Sequence, residues 1–220
     1  YLIGNSIQWG KMMSNRDALT NLQEFCQKQQ FKCSQKSADS RLNSIDDEEM
    51  IIDKMIDHFG AENIKKPPAR WWYDVLFFDM PLQIKSSSFK KKGCDNFSSK
   101  AAILWAFSDI SFEKFEKNHT KFCRSWKTWQ KSLQEYKKTD NERDYHILVL
   151  NKDTGRLHAT TLKSLRILSP NGNNLPFQVC WEKNKEKQNR TGEKAWEFIM
   201  EAYKTSVRKK TSSHEGYEAL

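Results

Sequence analysis

Apolar residues in the first part of the chain recur at helical intervals and then give way to polar sequence. From Asn15 to Gln30, leucine, phenylalanine and cysteine return every three or four residues, and this spacing predicts a first helix. Ser14 or Asn15 is placed to cap its start. The polar segment 34–44 that follows predicts a loop.

A second helical pattern follows that loop. Ser44 or Asp46 can cap a helix that runs to about His58, with a stripe of methionine and isoleucine on one side and Gly60 after its end. Two lysines and two prolines at 65–68 then predict an exposed connector.

The next segment has the pattern of a β-hairpin. Trp71 to Phe78 is rich in aromatic and β-branched residues, Asp79 to Pro81 interrupts it, and Leu82 to Lys85 resumes with alternating character. The predicted hairpin contains a polar residue, Asp74, within its first apolar run. A lone carboxylate among apolar side chains is costly unless it binds something, and here a divalent metal is the candidate.

Alternation along the second strand of the hairpin separates two pairs of residues. Gln83 and Lys85 are expected on one face, while Leu82 and Ile84 point into the core. An amide and an ammonium group would then share a face close to the carboxylate of Asp74.

The rest of the chain completes an α/β pattern. Lys100 to Phe107 is an apolar segment compatible with a helix or a strand, and its alanine content favours a helix. The order of elements predicts an α/β fold with a central mixed β-sheet flanked by helices, and one domain over 1–220 with a catalytic core at about 44–107. The other predicted elements are a charged helix over 112–138, strands over 146–150, 157–160 and 177–181, a hairpin turn over 151–155, and a C-terminal helix over about 191–210 with a frayed tail beyond it.

Composition narrows the function classes. The 220 residues suffice for one core, and 37 Lys and Arg against 28 Asp and Glu give a net charge of +9, which favours a polyanionic partner. The five cysteines and five histidines lack metal-ligand spacing, so neither a zinc site nor a disulfide framework is expected. No apolar run could span a membrane and no secretory leader is recognisable, so we expect a soluble, reduced, intracellular protein. The chain begins with Tyr1 instead of Met, which leaves room for residues ahead of it.

The hairpin resembles the active-site motif of a nuclease superfamily. Asp74, a turn, and then Gln83, Ile84 and Lys85 are similar to the PD-(D/E)xK motif in its Gln-bearing variant. Ser86 to Ser88 and Asp95 to Lys100 extend the likeness to type II restriction endonucleases, over roughly residues 70–107. Tyr73 stands where the motif has Pro, and Gln83 gives the site one negative charge fewer than an acidic residue would.

The resemblance implies roles for individual residues. Asp74, Gln83 and Lys85 would be catalytic, with Mg²⁺ held by Asp74, Gln83 and the backbone carbonyl of Ile84, and with Lys85 assisting the attacking water. Glu48 or Glu49, early in the second helix, could supply a further ligand.

The resemblance also implies a partner. It predicts a homodimer that cuts double-stranded DNA at a short specific site in the cytoplasm of a prokaryote, with no membrane association. The candidate DNA-binding residues are Lys90, Lys91, Lys92, Asn96, Ser98, Ser99 and Lys100.

Simpler interpretations stay open for the same residues. Asp74 could be a strand-end residue satisfied by backbone N–H groups, with Gln83 and Lys85 on a solvated edge, and Asp79 could replace it as the metal ligand. The lysines at 90–92 could form a solvated loop, and Ser98 or Ser99 could cap a helix. At the level of the whole protein, the alternatives are a structure- or damage-directed repair nuclease and a non-catalytic nucleic-acid-binding module.

Overall fold

The computed structural model describes most of the chain. The described residues are 14–33, 40–90, 94–97, 100–140, 142–171 and 177–211. The predicted loop over 34–39 and the predicted frayed tail beyond 211 lie outside them.

Helices and strands follow one another in runs along the chain. The helices of the described ranges are α1 (Asn15–Lys28), α2 (Ser40–Phe59), α3 (Lys100–Ala106), α4 (Phe112–Cys123), α5 (Trp126–Tyr136) and α6 (Gly192–Thr211). The strands are β1 (Ile64–Lys65), β2 (Val75–Phe77), β3 (Met80–Ser87), β4 (Asp95–Phe97), β5 (His146–Asn151), β6 (Arg156–Thr161), β7 (Ser169–Pro170) and β8 (Phe177–Val179).

A mixed sheet occupies the centre of the fold. Its strand order is β1-β2-β3-β5-β6, with β3 and β5 parallel and the other neighbours antiparallel. Side chains of α1 and α2 cover one face, and those of α3 to α6 contribute to the larger core on the other. The predicted α/β class, a central mixed sheet flanked by helices, is therefore confirmed. A small second sheet has the order β4-β8-β7.

Alternation along β3 distributes its side chains as predicted. Leu82 and Ile84 are 0% and 3% exposed and pack in the core beneath α1 and α2. Gln83 and Lys85 therefore lie on the opposite face, where their partners in β5 are Ile147 and Val149. The face that carries the two polar residues is thus fixed by burial of the other one.

The start of α2 and the first strand of the hairpin differ from prediction. The helix begins at Ser40 and not at Ser44 or Asp46, so the predicted loop over 34–44 is wrong from residue 40 onward. The first strand of the hairpin is only Val75–Phe77, since side-chain bonds described below hold the residues before it.

The charged helix predicted over 112–138 is two helices. The chain breaks at Arg124 and Ser125, where the Ser125 hydroxyl accepts the backbone N–H of Thr128 at 3.1 Å and caps α5. The strand predicted over 177–181 is also shorter, because a 3₁₀ turn starts at Trp181. Ser, which favours helix starts over helix interiors, was the signal for the first of these breaks.

The expectation of a fully reduced chain is wrong, because Cys94 and Cys180 are joined as a disulfide. They adjoin the paired residues Asp95 and Val179 of β4 and β8, so pairing of these strands brings the two cysteines together. Residues 86 positions apart give no such signal in one sequence. Among the described helices, none combines the length and the apolar character needed to cross a membrane.

Candidate active site

Asp74 lies one residue before β2 and takes the place of a backbone acceptor. Its Oδ2 accepts the N–H of Ile84 at 2.6 Å, and its own N–H donates to the carbonyl of Leu82 at 3.0 Å. Because β2 begins only at Val75, the carboxylate meets an N–H that a longer strand would have bonded through its backbone. One oxygen of Asp74 is thus satisfied as the simpler interpretation expects, and its Oδ1 accepts no bond from the described residues.

Gln83 and Lys85 approach this carboxylate from β3. Val75 pairs with Leu82. The preceding residue, Asp74, contacts the backbone of Leu82 and of Ile84, so Gln83 lies between its two contacts in β3. Gln83 and Lys85 share one face of β3, and the Lys85 ammonium is near enough to lower the pKa of the Asp74 carboxyl, against the larger effect of burial. The hairpin therefore brings together the three residues that its pattern singled out.

Glu48 reaches the same point from α2. Burial and the nearby Asp74 carboxylate raise the pKa of Glu48 from 4.5 to about 7, while the Lys85 ammonium opposes that rise. Burial also raises the pKa of Asp74, against the Ile84 N–H and the Lys85 charge, which lower it. Two carboxylates and one ammonium group are thus close enough to act on one another. Glu49, the other acid considered, is exposed.

A buried network fixes the first turns of α2 against β3. Asp47 is 0% exposed, accepts the Ser86 hydroxyl at 2.6 Å and lies 3.5 Å from the ammonium of Lys152. Sequence reasoning missed it, although Asp47 precedes Ile51 and Met55 at intervals of four on the apolar stripe, which was the available signal. The network holds the neighbouring Glu48 over the sheet.

Glu48 stands between two clefts. One, of about 270 Å³, is lined by Lys85 together with Asp95 and Asn96 of β4. The other, of about 240 Å³, is lined by Asp74 and by the connector that leads from β1 to β2. Glu48 therefore borders open space on two sides, and Asp74 borders one of the two clefts.

The candidate DNA-binding residues have different locations. Asn96 lines the cleft beside Lys85. Lys90 is exposed, and its backbone N–H donates to Asp153 at 2.7 Å, which ties its loop to the β5–β6 turn. Lys100 lies elsewhere, with its ammonium 4.7 Å from the centre of the Trp126 ring. Four of the predicted residues lie outside the described ones: Lys91, Lys92, Ser98 and Ser99.

Asp79, the alternative metal ligand, lies away from the carboxylate pair. It occupies the β2–β3 turn with φ of 62° and forms an exposed ion pair with Lys65 at 2.8 Å. Its surface location leaves Asp74 as the acid of the hairpin that faces Glu48.

Glu116 of α4 holds the segment that delivers Asp74. The indole N–H groups of Trp71 and Trp72 both donate to its Oε1 at 3.0 Å. Burial raises the pKa of the Tyr73 hydroxyl, and the charge of Glu116 and its hydrogen bond with Tyr73 raise it further. Sequence reasoning missed Glu116, because a glutamate within a charged helix gives no sign of so distant a partner.

Replacing Glu116 by Ala should destabilise the protein, since two indole N–H groups and a tyrosine would lose a charged acceptor. We expect the free energy of unfolding to fall by roughly 2–3 kcal/mol, the usual scale for bonds to a charged group. Urea unfolding measures it, with Glu113→Ala on the same helix as control. Glu113 is exposed, and its ion-pair partner among the described residues is the exposed Lys117, so that variant should change little. Equal losses in the two variants would contradict the assigned contacts.

Replacing Glu48 by Gln should stabilise the protein at pH 8 when no divalent metal is present. The folded chain holds the Glu48 proton up to about pH 7, whereas the unfolded chain releases it near its ordinary pKa of 4.5. The stability of the wild type should therefore fall as pH rises through that window, and a neutral amide avoids the loss. Allowing for partial exposure, the gain is on the order of 1 kcal/mol.

Thermal unfolding in EDTA at pH 5 and pH 8 measures this effect. Asp53→Asn supplies the control, because Asp53 is an exposed acid further along α2 and its replacement should leave the pH dependence close to that of the wild type. A Glu48→Gln protein that loses as much stability as the wild type between the two pH values would show that Glu48 is not the group responsible.

The donor set of the site suits a hard divalent cation. Two carboxylates and the Gln83 amide offer oxygen ligands, which Mg²⁺ prefers. The N–H of Ile84 points toward β2, where it donates to Asp74. In a β-strand the carbonyl of a residue points to the same side as its N–H, so the Ile84 carbonyl also faces the Asp74 side. The Asp74 carboxylate hinders the ionisation of Glu48, and a bound cation would counteract this effect. The described residues contain no group of three His, Cys, Asp or Glu placed to hold a metal, so amide and carbonyl oxygens would have to complete the site.

Comparison with known proteins gives only distant likeness. No protein family matches the sequence, and no curated protein matches it. Among solved structures, the chain is similar to one described as a restriction endonuclease in complex with substrate DNA, over 84% of this chain and 81% of that one. The identity is 13% and the TM-score 0.31, values too low for arguing from one protein to the other.

Proposed function

We propose that this protein is a Mg²⁺-dependent endonuclease that hydrolyses phosphodiester bonds of duplex DNA at a short specific site, as type II restriction endonucleases do. The observation that carries the proposal is the convergence of Glu48, Asp74 and Lys85 where β2 begins beside β3. Two acids and a lysine beside an open cleft are what a metal-assisted phosphodiesterase needs.

Each residue of the site has a task in this proposal. Glu48, Asp74, the Gln83 amide and the Ile84 carbonyl would hold Mg²⁺, which when bound neutralises phosphate charge and acidifies water. Lys85 stabilises the negative charge that develops on the phosphate and orients the attacking water. Asp47 and Glu116 keep α2 and the Trp71–Asp74 segment in position.

The net charge of the protein and the symmetry of a palindromic site indicate the substrate and the oligomeric state in this proposal. A net charge of +9 suits a polyanion, and a palindromic site would be cut by a homodimer that places one centre on each strand. The resemblance of the hairpin to type II restriction endonucleases further implies a restriction-modification role in a prokaryote.

Incubation with plasmid DNA and Mg²⁺ tests the function. Discrete fragments, absent with EDTA, are the expected result. Nicking or cutting confined to branched or mismatched DNA would instead indicate a repair nuclease. Salt-sensitive DNA binding without cleavage in Mg²⁺ or Mn²⁺ would replace it by a binding module. Gel filtration of the protein, alone and mixed with a DNA duplex that it cleaves, measures whether it is a dimer.

A further inference from the structure

The connector between β1 and β2 forms one wall of the second cleft beside Glu48 and Asp74. We call residues 66–70 the basic connector, since they contain Lys66 and Arg70. Both side chains are exposed, whereas Glu48 and Asp74 are partly buried. Cations therefore stand at the rim of the cleft and carboxylates at its floor.

The two cationic side chains of the basic connector form no ion pair with an acid of the described residues. Within the described part of the chain, neither Lys66 nor Arg70 forms an ion pair, whereas the adjacent Lys65 is paired with Asp79 at 2.8 Å. Lys66 lowers the pKa of Glu48 and so lies within electrostatic reach of the carboxylate pair. Lys66 and Arg70 can therefore bind an anionic ligand that extends from the carboxylates across the rim of the cleft.

The backbone of the basic connector is held in one arrangement. Lys65 pairs with Leu76 at its start, and Trp71 is bonded to Glu116 just after its end. The two consecutive prolines at 67 and 68 fix φ. Arg70 has φ of 62°, a conformation that is uncommon for residues other than glycine and that fixes a sharp turn of the backbone here. The backbone that carries Arg70 is therefore held at the rim of the cleft.

Phosphate groups are the ligand that this arrangement fits. A guanidinium binds phosphate oxygens through paired hydrogen bonds, and an ammonium adds a point charge. We infer that Lys66 and Arg70 bind the DNA backbone next to the scissile phosphate, so that the duplex crosses the basic connector as it leaves the active site. This inference rests on the proposed function and adds a substrate-binding surface to it.

Binding without cleavage provides the test. A short fluorescein-labelled DNA duplex of mixed sequence is titrated with protein in EDTA, and anisotropy gives Kd over a range of KCl concentrations. We compare Lys66→Gln, Arg70→Gln and the double variant with two controls, Lys65→Gln and Arg166→Gln. Both control residues are exposed cations paired with an acid, Asp79 and Glu186.

The double variant should bind DNA more weakly and with less dependence on salt. Each lost phosphate contact should reduce the slope of log Kd against log salt concentration by about one, and the controls should keep the wild-type slope. Because the replaced side chains are exposed, the melting temperature should not change. Cleavage in Mg²⁺ should show a raised KM with kcat nearly constant.

The outcomes separate the inference from the function. Wild-type slopes in the Lys66 and Arg70 variants would overturn the inference and leave the proposed nuclease intact. A loss in Lys65→Gln as large as in Lys66→Gln would also overturn it, since total charge and not position would then matter. Failure of the wild type to bind any duplex would reject DNA as the substrate, and with it both proposals.

Discussion

The Asp74→Asn variant is expected to fold normally and to lose DNA cleavage by a factor on the order of 10³, the scale on which a central electrostatic group of an active site acts. Asparagine keeps an oxygen that accepts the N–H of Ile84, so the hairpin retains its hydrogen bond. The lost strength of a charged bond is offset, because burial already disfavours the ionised form of Asp74. The melting temperature should therefore change little.

Metal binding supplies a second measurement for Asp74. A ligand that binds only the folded protein raises its melting temperature, so Mg²⁺ should stabilise the wild type and have a much smaller effect on Asp74→Asn. Asp79→Asn is the matched control, since Asp79 lies on the same hairpin but faces Lys65 at the surface. Cleavage by Asp74→Asn at more than about a tenth of the wild-type rate would show that Asp74 is not a catalytic residue.

The hairpin and its polar residues could be predicted because their information is local. Alternation places Leu82 and Ile84 in the core, and this alone decides that Gln83 and Lys85 share the other face. Asp74 was conspicuous because a charged residue interrupts an apolar run. Each of these inferences needs only neighbours within about ten residues, where the period of a strand is a strong signal.

Residues that act through distant partners could not be predicted in the same way. Glu116 binds indole groups 44 and 45 positions away, and Asp47 binds Ser86 across 39. Cys94 and Cys180 meet only because β4 and β8 pair. Such contacts depend on how helices and strands pack, and several packings are compatible with one periodic pattern. Glu48 falls between the two cases, since its helix was predicted but its approach to Asp74 was an inference from the resemblance.

Lys85→Met should reduce cleavage about 10²- to 10³-fold while leaving metal binding in place. Methionine keeps much of the length of the side chain but removes the ammonium that acts on both carboxylates. Without that charge no ammonium offsets the negative charge of Glu48 and Asp74, so Mg²⁺ should raise the melting temperature at least as much as it does in the wild type. This combination separates Lys85 from Asp74, whose loss should remove both properties.

Two further variants define what the ammonium of Lys85 does. Lys54→Met is the control, because Lys54 is an exposed residue of α2 that pairs with Asp57. Lys85→Arg keeps a positive charge but cannot give up its proton, so it should recover activity if Lys85 stabilises charge and stay inactive if Lys85 accepts a proton from water. Cleavage by Lys85→Met within a few fold of the wild type would exclude both roles, since the remaining groups of the hairpin would then suffice without an ammonium.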